Sequence, residues 1–166
     1  MARIGLLSDT HGWLDPAVFT YLDSCDEIWH AGDIGTAEVT DALGAFRPLR
    51  AVYGNIDDHL LRRQFPQDQV FTMQDVKVCM THIGGRPGRY SRQARALILS
   101  EQPRLFVCGH SHILRVIPDN KYDLLYLNPG ACGRHGFHTV RTLLRFTLLA
   151  GEIGDMEVVE LGPRGR

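Results

Sequence analysis

The chain has 166 residues, 44% of them hydrophobic, enough for one domain that buries roughly 70% of its unfolded surface. Eighteen basic residues against nineteen acidic ones leave it near neutral, which excludes a global field drawing it to nucleic acid or membrane. No apolar run approaches the ~20 residues of a membrane span, and Cys25, Cys79, Cys108 and Cys132 show no CxxC pairing, so a soluble cytoplasmic protein with reduced thiols is expected.

Ile4 to Leu7 reads as a short buried strand that ends in Asp9-Thr10-His11-Gly12. Asp15-Pro16 then starts a helix, with Pro at the first helical position and Val18, Phe19 and Leu22 at helical spacing, stopping near Ser24. Glu27 to Ala31 is the second strand and runs into Gly32-Asp33-Ile34-Gly35. Thr36 suits the N-cap of a helix carrying Val39, Leu43 and Phe46, and Leu49 to Tyr53 is a third strand closing in Gly54-Asn55-Ile56-Asp57. Strands alternating with helices argue an α/β fold with a parallel sheet and right-handed crossovers.

From Asp58 to Gln69 no pattern stands out. Val70 to Met73 and Val76 to Thr81 form a hairpin whose second run ends in His82, and Gly84 to Gly88 reads as a loop. Ser91 caps a helix to Glu101, and the apolar run Leu105 to Cys108 meets Gly109-His110-Ser111-His112. Val116 to Pro118, Leu124 to Leu127 and Leu143 to Leu149 suggest further strands. The whole is expected as one domain over residues 1–161, with a frayed tail from Gly162 to Arg166.

Strands apolar on both faces belong to covered parallel sheets, and ligands bind beyond the carboxyl ends of such strands. At those ends stand Asp9 and His11, Asp33, Asn55, His82, then His110 and His112. A spacing of two in extended chain sends His110 and His112 to the same side, so the pair is expected to converge on one small object. Singly, an Asp or Asn after a strand is an ordinary turn former and an HxH is incidental. Together the residues make a nitrogen and oxygen donor set without thiolate, which suits Mn²⁺, Fe²⁺, Zn²⁺ or Ni²⁺. The set exceeds what one ion needs and implies two, about 3.5 to 4 Å apart, bridged by a carboxylate.

The ordered pieces D-x-H, G-D, G-N-x-D, an isolated His and G-H-S-H span Arg3 to Gly130 and resemble the calcineurin-like metallophosphoesterases. Short length and the N-P-G segment at Asn128 are most similar to their small single-domain phosphodiesterase subgroup. The resemblance implies a four-layer α/β/β/α sandwich with mixed sheets. It implies that Asp9, His11, Asp33 and His112 hold one metal while Asp33, Asn55, His82 and His110 hold the other, with Asp33 as the bridge. Catalysis would then depend most on Asp33, Asn55 and His82, with two divalent ions as cofactors, Mn²⁺ foremost. The implied reaction is hydrolysis of a small phosphodiester by attack of metal-bridging hydroxide on phosphorus.

The chain departs from the family at Ile56, where many relatives carry a His that assists the leaving group, and this leaves the proton donor unassigned among His30, His59, His135 and His138. Ile83 replaces a usual glycine, and Ala131 and Cys132 stand where small hydroxyl residues are frequent. His30 reads as a residue that orients a ligand from behind or fills the core. Arg86, Arg89, Arg92 and Arg95 recur every three residues, either as a solvated helix face or, for Arg86 and Arg89, as a clamp on a substrate phosphate. Two alternatives stand beside the phosphodiesterase. A non-catalytic scaffold of the same fold predicts a lost ligand position, and a nucleotide- or nucleic-acid-cleaving metallohydrolase predicts a basic stripe or a stacking platform. Neither membrane nor polymeric nucleic acid is expected as a partner, and homo-oligomerisation stays open.

Overall fold

The computed structural model describes residues 1–165. The chain opens with β1 (Ala2–Leu7), α1 (Ala17–Leu22), β2 (Glu27–His30), α2 (Ala37–Phe46), β3 (Leu49–Ala51) and α3 (His59–Gln64). It continues through β4 (Asp68–Met73), β5 (Val76–Thr81), β6 (Gly85–Arg86), β7 (Arg89–Tyr90), α4 (Arg92–Glu101) and β8 (Leu105–Val107). The last strands are β9 (Leu114–Asp119), β10 (Leu124–Pro129), β11 (Val140–Leu149) and β12 (Glu152–Pro163).

Two five-stranded sheets result, ordered β12-β11-β1-β2-β3 and β4-β5-β8-β10-β9. In the first, β1, β2 and β3 are parallel while β11 and β12 join antiparallel. In the second, β5, β8 and β10 are parallel and the edges β4 and β9 are antiparallel. The period of two along each strand divides its side chains between two faces. Ile4, Leu6, Val78, Met80, Leu105, Val107, Leu144 and Phe146 point between the sheets and form one core with Trp29. The alternate residues Leu7, Ile28 and Leu143 pack outward against Val18, Leu22 and Leu43 of α1 and α2. On the far side Cys79, Phe106 and Tyr126 meet Ala94 and Ile98 of α4. This is the expected four-layer α/β/β/α sandwich, and its sheets are mixed. Trp29 is fully buried at the centre, edge-on to Phe71 and Phe146, and its indole N–H donates to Glu27 at 2.9 Å.

Several elements differ from expectation. Pro16 occupies the cap position of α1, one residue before the helix begins. The stretch after Asp58 holds α3, capped by the Asp58 carboxylate, which accepts from the N–H groups of Leu60 and Leu61. That helix buries only Leu61, so no apolar stripe announces it. The loop at Gly84 contains the two-residue strands of the β6–β7 hairpin. β12 runs to Pro163, through the start of the stretch expected as a frayed tail, and the Arg164 N–H bonds to the Thr139 carbonyl at 2.9 Å. As an edge strand with one solvated face, β12 needs few apolar residues and escaped the reading. Arg166, at the end of the expected tail, lies outside the described residues.

Candidate metal centre

Where β1, β2, β5 and β8 end, six side chains converge in two groups. Asp9, His11 and His112 make one, Asp33, His82 and His110 the other, and within each the ligand atoms lie within 4.8 Å of one another. Asn55, after β3, borders the same cavity as His11, Asp33 and His110. All the residues expected at strand ends are therefore gathered in one place.

The backbone that brings them there is not extended. Asp9 (φ 54°), His11 (48°), Asp33 (54°), His110 (68°) and His112 (58°) are all left-handed, a region that costs a non-glycine residue roughly 1–2 kcal/mol. The extended-chain argument for a converging HxH pair therefore fails: His110 and His112 turn to different groups. Loop-to-loop hydrogen bonds hold the strain. The N–H groups of Asp9, His11 and Gly12 donate to the carbonyls of Gly32, Asp33 and Ile34, and Gly109 N–H donates to the His82 carbonyl. Contacts are close enough that a Cβ on Gly54 would strike the Asp33 carboxylate, and one on Gly109 would strike Ser8 Oγ.

Hydrogen bonds fix the acids and bases from behind. Asp9 Oδ2 accepts from Ser8 Oγ at 2.6 Å and from the His110 N–H at 3.1 Å. Asp33 Oδ1 accepts from the Ile56 N–H at 3.1 Å. The Ala31 carbonyl lies 2.7 Å from His82 Nδ1, so the ring proton sits on Nδ1 and Nε2 faces the site with a free lone pair. Three residues carry structural work to which the sequence reading gave no role. Ser8 is one. Asp57 is the second, its carboxylate accepting from the N–H groups of Ile34 (3.1 Å), Gly35 (2.8 Å) and Gly54 (2.7 Å) and so tying the Asp33 loop to the Asn55 loop. Asn128 is the third, holding the Gly109 carbonyl and Ser111 Oγ through its NH₂ group and the Gly130 N–H through its oxygen. The G-N-x-D spelling and the N-P-G segment were the available signals for the last two.

The ligand atoms face one another. Asp9 Oδ1, His11 Nε2 and His82 Nε2 are buried without any hydrogen bond. Asp9 Oδ1 stands 3.1 Å from His112 Nε2, while Asp33 Oδ2 and Oδ1 stand 3.4 Å from His11 Nε2 and 3.2 Å from His82 Nε2. Leaving buried acceptors unsatisfied costs about 1–3 kcal/mol each, and here they face one another. A divalent cation removes both penalties, and the all-nitrogen-and-oxygen donor set suits one. Asp33 reaches a histidine of each group, one through each oxygen, at 3.4 and 3.2 Å, whereas Asp9 stands 3.9 Å from His82.

Charge follows the same geometry. Burial holds the His11 and His110 rings below the ordinary histidine value, although the Asp33 and Asp9 carboxylates pull upward. For His82 burial pulls down too, but the facing Asp33 and Asp9 carboxylates, with the Ala31 carbonyl, outweigh it and raise its pKa. Burial pushes Asp33 up, yet His82 and the Ile56 N–H leave it below the usual carboxylate value. The cluster favours positive charge at its centre.

The cavity over these residues measures about 530 Å³, and Ile56, Ile113 and Phe137 give it an apolar rim that also carries His135 and His138. The His135 ring lies 4.7 Å from that of His11, and His138 Nε2 donates to the Gly133 carbonyl at 2.8 Å. His59 opens α3, apart from that lining. His30 is fully buried behind the Asp9 and Asp33 loops. Its Nδ1 accepts from the Gly32 N–H at 3.1 Å and its Nε2 meets Thr10 Oγ1 at 3.0 Å, so it positions loops rather than facing the cavity. Ala131 and Cys132 are buried as well, with the Cys132 N–H bonded to the Ser8 carbonyl.

The family model of the calcineurin-like phosphoesterase superfamily domain matches residues 2–151. A probable metallophosphoesterase of Methanothermobacter thermautotrophicus is 29% identical over 135 residues, which is 77% of this chain and 76% of that one. Among solved structures, an archaeal phosphodiesterase superposes with a TM-score of 0.73 at 20% identity, covering 96% of this chain and 99% of its own. Vps29 of Chaetomium thermophilum superposes with a TM-score of 0.76 at 14% identity, covering 97% of each chain. At such identities these two likenesses speak for the fold alone. Together with the family match over most of the chain, the gathered Asp, His and Asn residues lead to one conclusion: the chain belongs to the calcineurin-like phosphoesterase superfamily.

Proposed function

We propose that the protein is a phosphodiesterase that uses two divalent ions, Mn²⁺ foremost, held by Asp9, His11, Asp33 and His112 on one side and by Asp33, Asn55, His82 and His110 on the other. The observation that carries this reading is the set of buried, unpartnered lone pairs on Asp9, His11 and His82, aimed at a common centre. When bound, such ions lower the pKa of water toward ~7 and take up negative charge that grows on phosphoryl oxygens. The chain's own part is positioning. Asp33 presents an oxygen to each group, and Asn55 offers a carboxamide whose NH₂ can donate to a phosphate oxygen. Ser8, His110 N–H and Ile56 N–H fix the carboxylates, while the Ala31 carbonyl fixes the His82 tautomer. Nε2 stays a donor of electrons throughout. The Asn55 cavity and a second cavity flanking His110 give phosphorus room for two substituents, which favours a diester.

All the ligand positions are filled, which favours catalysis over the scaffold reading that the fold of Vps29 brings with it. A cytoplasmic protein acting on a small phosphodiester, alone or as a homo-oligomer, completes the proposal. It is consistent with this that no described helix is long and apolar enough to cross a membrane. The test is turnover of Mn²⁺-loaded protein against matched aryl phosphomonoesters, aryl and alkyl diesters and cyclic nucleotides. Diesters are expected to exceed monoesters at least tenfold. With Ile56 in place of an acid, rates should climb steeply as leaving-group pKa falls, because a positioned acid contributes roughly 10²- to 10⁴-fold with poor leaving groups. Monoesters cleaved faster than diesters would overturn the assignment.

A further inference from the structure

The phosphodiesterase reading leaves three arginines without a task. Arg86 and Arg89 face each other across the β6–β7 hairpin, and Arg115 lies on β9. With His110 they line one cavity of about 390 Å³, so this space borders the Asp33, His82 and His110 group at His110. Of the other described arginines, Arg3, Arg47, Arg50, Arg104, Arg141 and Arg145 each pair with a carboxylate, while Arg62, Arg63, Arg92, Arg95, Arg134 and Arg164 do not but lie outside this cavity. Arg86, Arg89 and Arg115 have no such side-chain partner among the described residues.

Placing two like charges directly opposite in a strand pair is destabilising, and among the described residues no carboxylate pairs with either one, which leaves only solvent to screen them. The scaffold under them is fixed nonetheless. The Gly85 carbonyl accepts from the buried Tyr126 hydroxyl, Gly84 accepts from the Ser91 N–H, and Pro87-Gly88 forms a tight turn with Gly88 at φ 82°. Arg92 and Arg95, exposed as Arg86 and Arg89 are, lie on α4 outside this cavity and are the solvated helix face. A guanidinium is permanently charged and presents a planar fork that binds two oxygens of a phosphate. Three forks suit the three terminal oxygens of a phosphate monoester better than the two oxygens of a carboxylate. Across His110 from them, Ile56 and Phe137 offer an apolar wall instead.

We propose that Arg86, Arg89 and Arg115 form a second anion subsite, and that the substrate is a phosphodiester one of whose substituents ends in a further phosphate group. The proposal rests on the phosphodiesterase reading for the scissile bond, but the subsite is built from residues outside the proposed metal ligands. It lets the cleft bind the substrate in one direction: phosphate end toward β6–β7, the other substituent toward Phe137.

Two measurements test it. In metal-free protein titrated with inorganic phosphate, the side-chain Nε–Hε signals of Arg86, Arg89 and Arg115, assigned through single Arg→Lys variants, are expected to shift together while Arg104 stays still. Arg86→Ala or Arg115→Ala should weaken that binding about tenfold or more. With Mn²⁺-loaded protein, kcat/KM is compared for methyl p-nitrophenyl phosphate and for 2-phosphoethyl p-nitrophenyl phosphate. The phosphorylated diester is expected to be preferred at least tenfold, through KM, and Arg86→Ala or Arg115→Ala should cut that ratio at least tenfold, whereas Arg104→Ala leaves it. If both diesters are cleaved at similar kcat/KM, or the ratio survives the substitutions, the subsite is refuted and the phosphodiesterase reading stands. If neither is cleaved, the phosphodiesterase reading fails and the phosphate titration alone decides the subsite.

Discussion

His82 Nε2 faces Asp33 Oδ1 across 3.2 Å, and because the ring's proton lies on Nδ1 toward the Ala31 carbonyl, two lone pairs oppose each other in a buried site. The other oxygen of Asp33 stands 3.4 Å from His11 Nε2, in the neighbouring group. One carboxylate therefore answers for both halves of the centre. Removing it as Asp33→Ala is expected to abolish hydrolysis and most metal binding. Bound at a hundred times its Kd, a metal ion stabilises a fold by about 2.7 kcal/mol, so wild-type protein should gain several degrees in Tm with Mn²⁺ and lose them to a chelator. Asp33→Ala should show almost no such gain. Two ions retained at full occupancy in that variant would overturn the proposal that Asp33 bridges them.

His110 and His112 divide between the two groups although only Ser111 separates them. Each single alanine variant is accordingly expected to lose one ion, not both, and to lose turnover by at least about a hundredfold. Neither ring is part of a hydrophobic core cluster, so far-ultraviolet circular dichroism should stay native. Metal analysis by mass spectrometry gives the stoichiometry. Near-wild-type turnover at saturating metal would remove that histidine from the site.

Asp57, only 3% exposed, is expected to matter more to the fold than its distance from the ligand atoms suggests. Its carboxylate takes three backbone N–H groups from two loops. Hydrogen bonds to a charged group contribute about 1.5–3 kcal/mol, and three sharing one acceptor do not add fully, so Asp57→Ala should cost about 3–5 kcal/mol. Turnover should fall with it, since the Asn55 loop loses its tie to the Asp33 loop. Urea denaturation measures the first effect, and a loss below about 1 kcal/mol would contradict the clasp.

The order of strand ends was legible because buried strands announce themselves as short apolar runs, and the chemistry-bearing residues follow each run at once. That suffices to place Asp9, Asp33, Asn55, His82 and His110 at carboxyl ends of strands, although the first three follow strands of one sheet and the two histidines strands of the other. The path between strand and ligand was not legible. Left-handed φ at Asp9, His11, Asp33, His110 and His112 is imposed by hydrogen bonds between loops far apart in sequence, so local spacing gives the wrong geometry for the HxH pair. α3 and β12 were missed because each buries little, and burial is the signal that periodicity reports. The G-N-x-D and N-P-G spellings mark Asp57 and Asn128, but the backbone groups these residues hold carry no mark in the sequence.

His30 gives the fold a dependence on pH that can be separated from the metal centre. Burial lowers its pKa to about 4, chiefly because the charged ring would be desolvated, and the nearby Asp57 and Asp9 carboxylates only partly counter this. Its Nδ1 accepts from Gly32 and its Nε2 carries the proton toward Thr10 Oγ1, whose own hydroxyl donates to the Ile34 carbonyl. The unfolded chain protonates this histidine near its ordinary value of 6.5, whereas the folded chain resists until about pH 4. Above 6.5 the residue contributes no pH dependence. As pH falls from 6.5 to 4 the unfolded state gains a proton that the folded state lacks, and stability drops by up to about 3 kcal/mol. In His30→Asn the side-chain oxygen can still accept from Gly32, and no titrating group remains. That variant is expected to be less stable than wild type at pH 7 but to show a shallower fall between pH 6.5 and 4. Urea midpoints of metal-free wild type and variant across this range measure the difference. Parallel slopes would mean that His30 takes up its proton in the folded state without penalty, and would overturn the neutral, hydrogen-bonded ring described above.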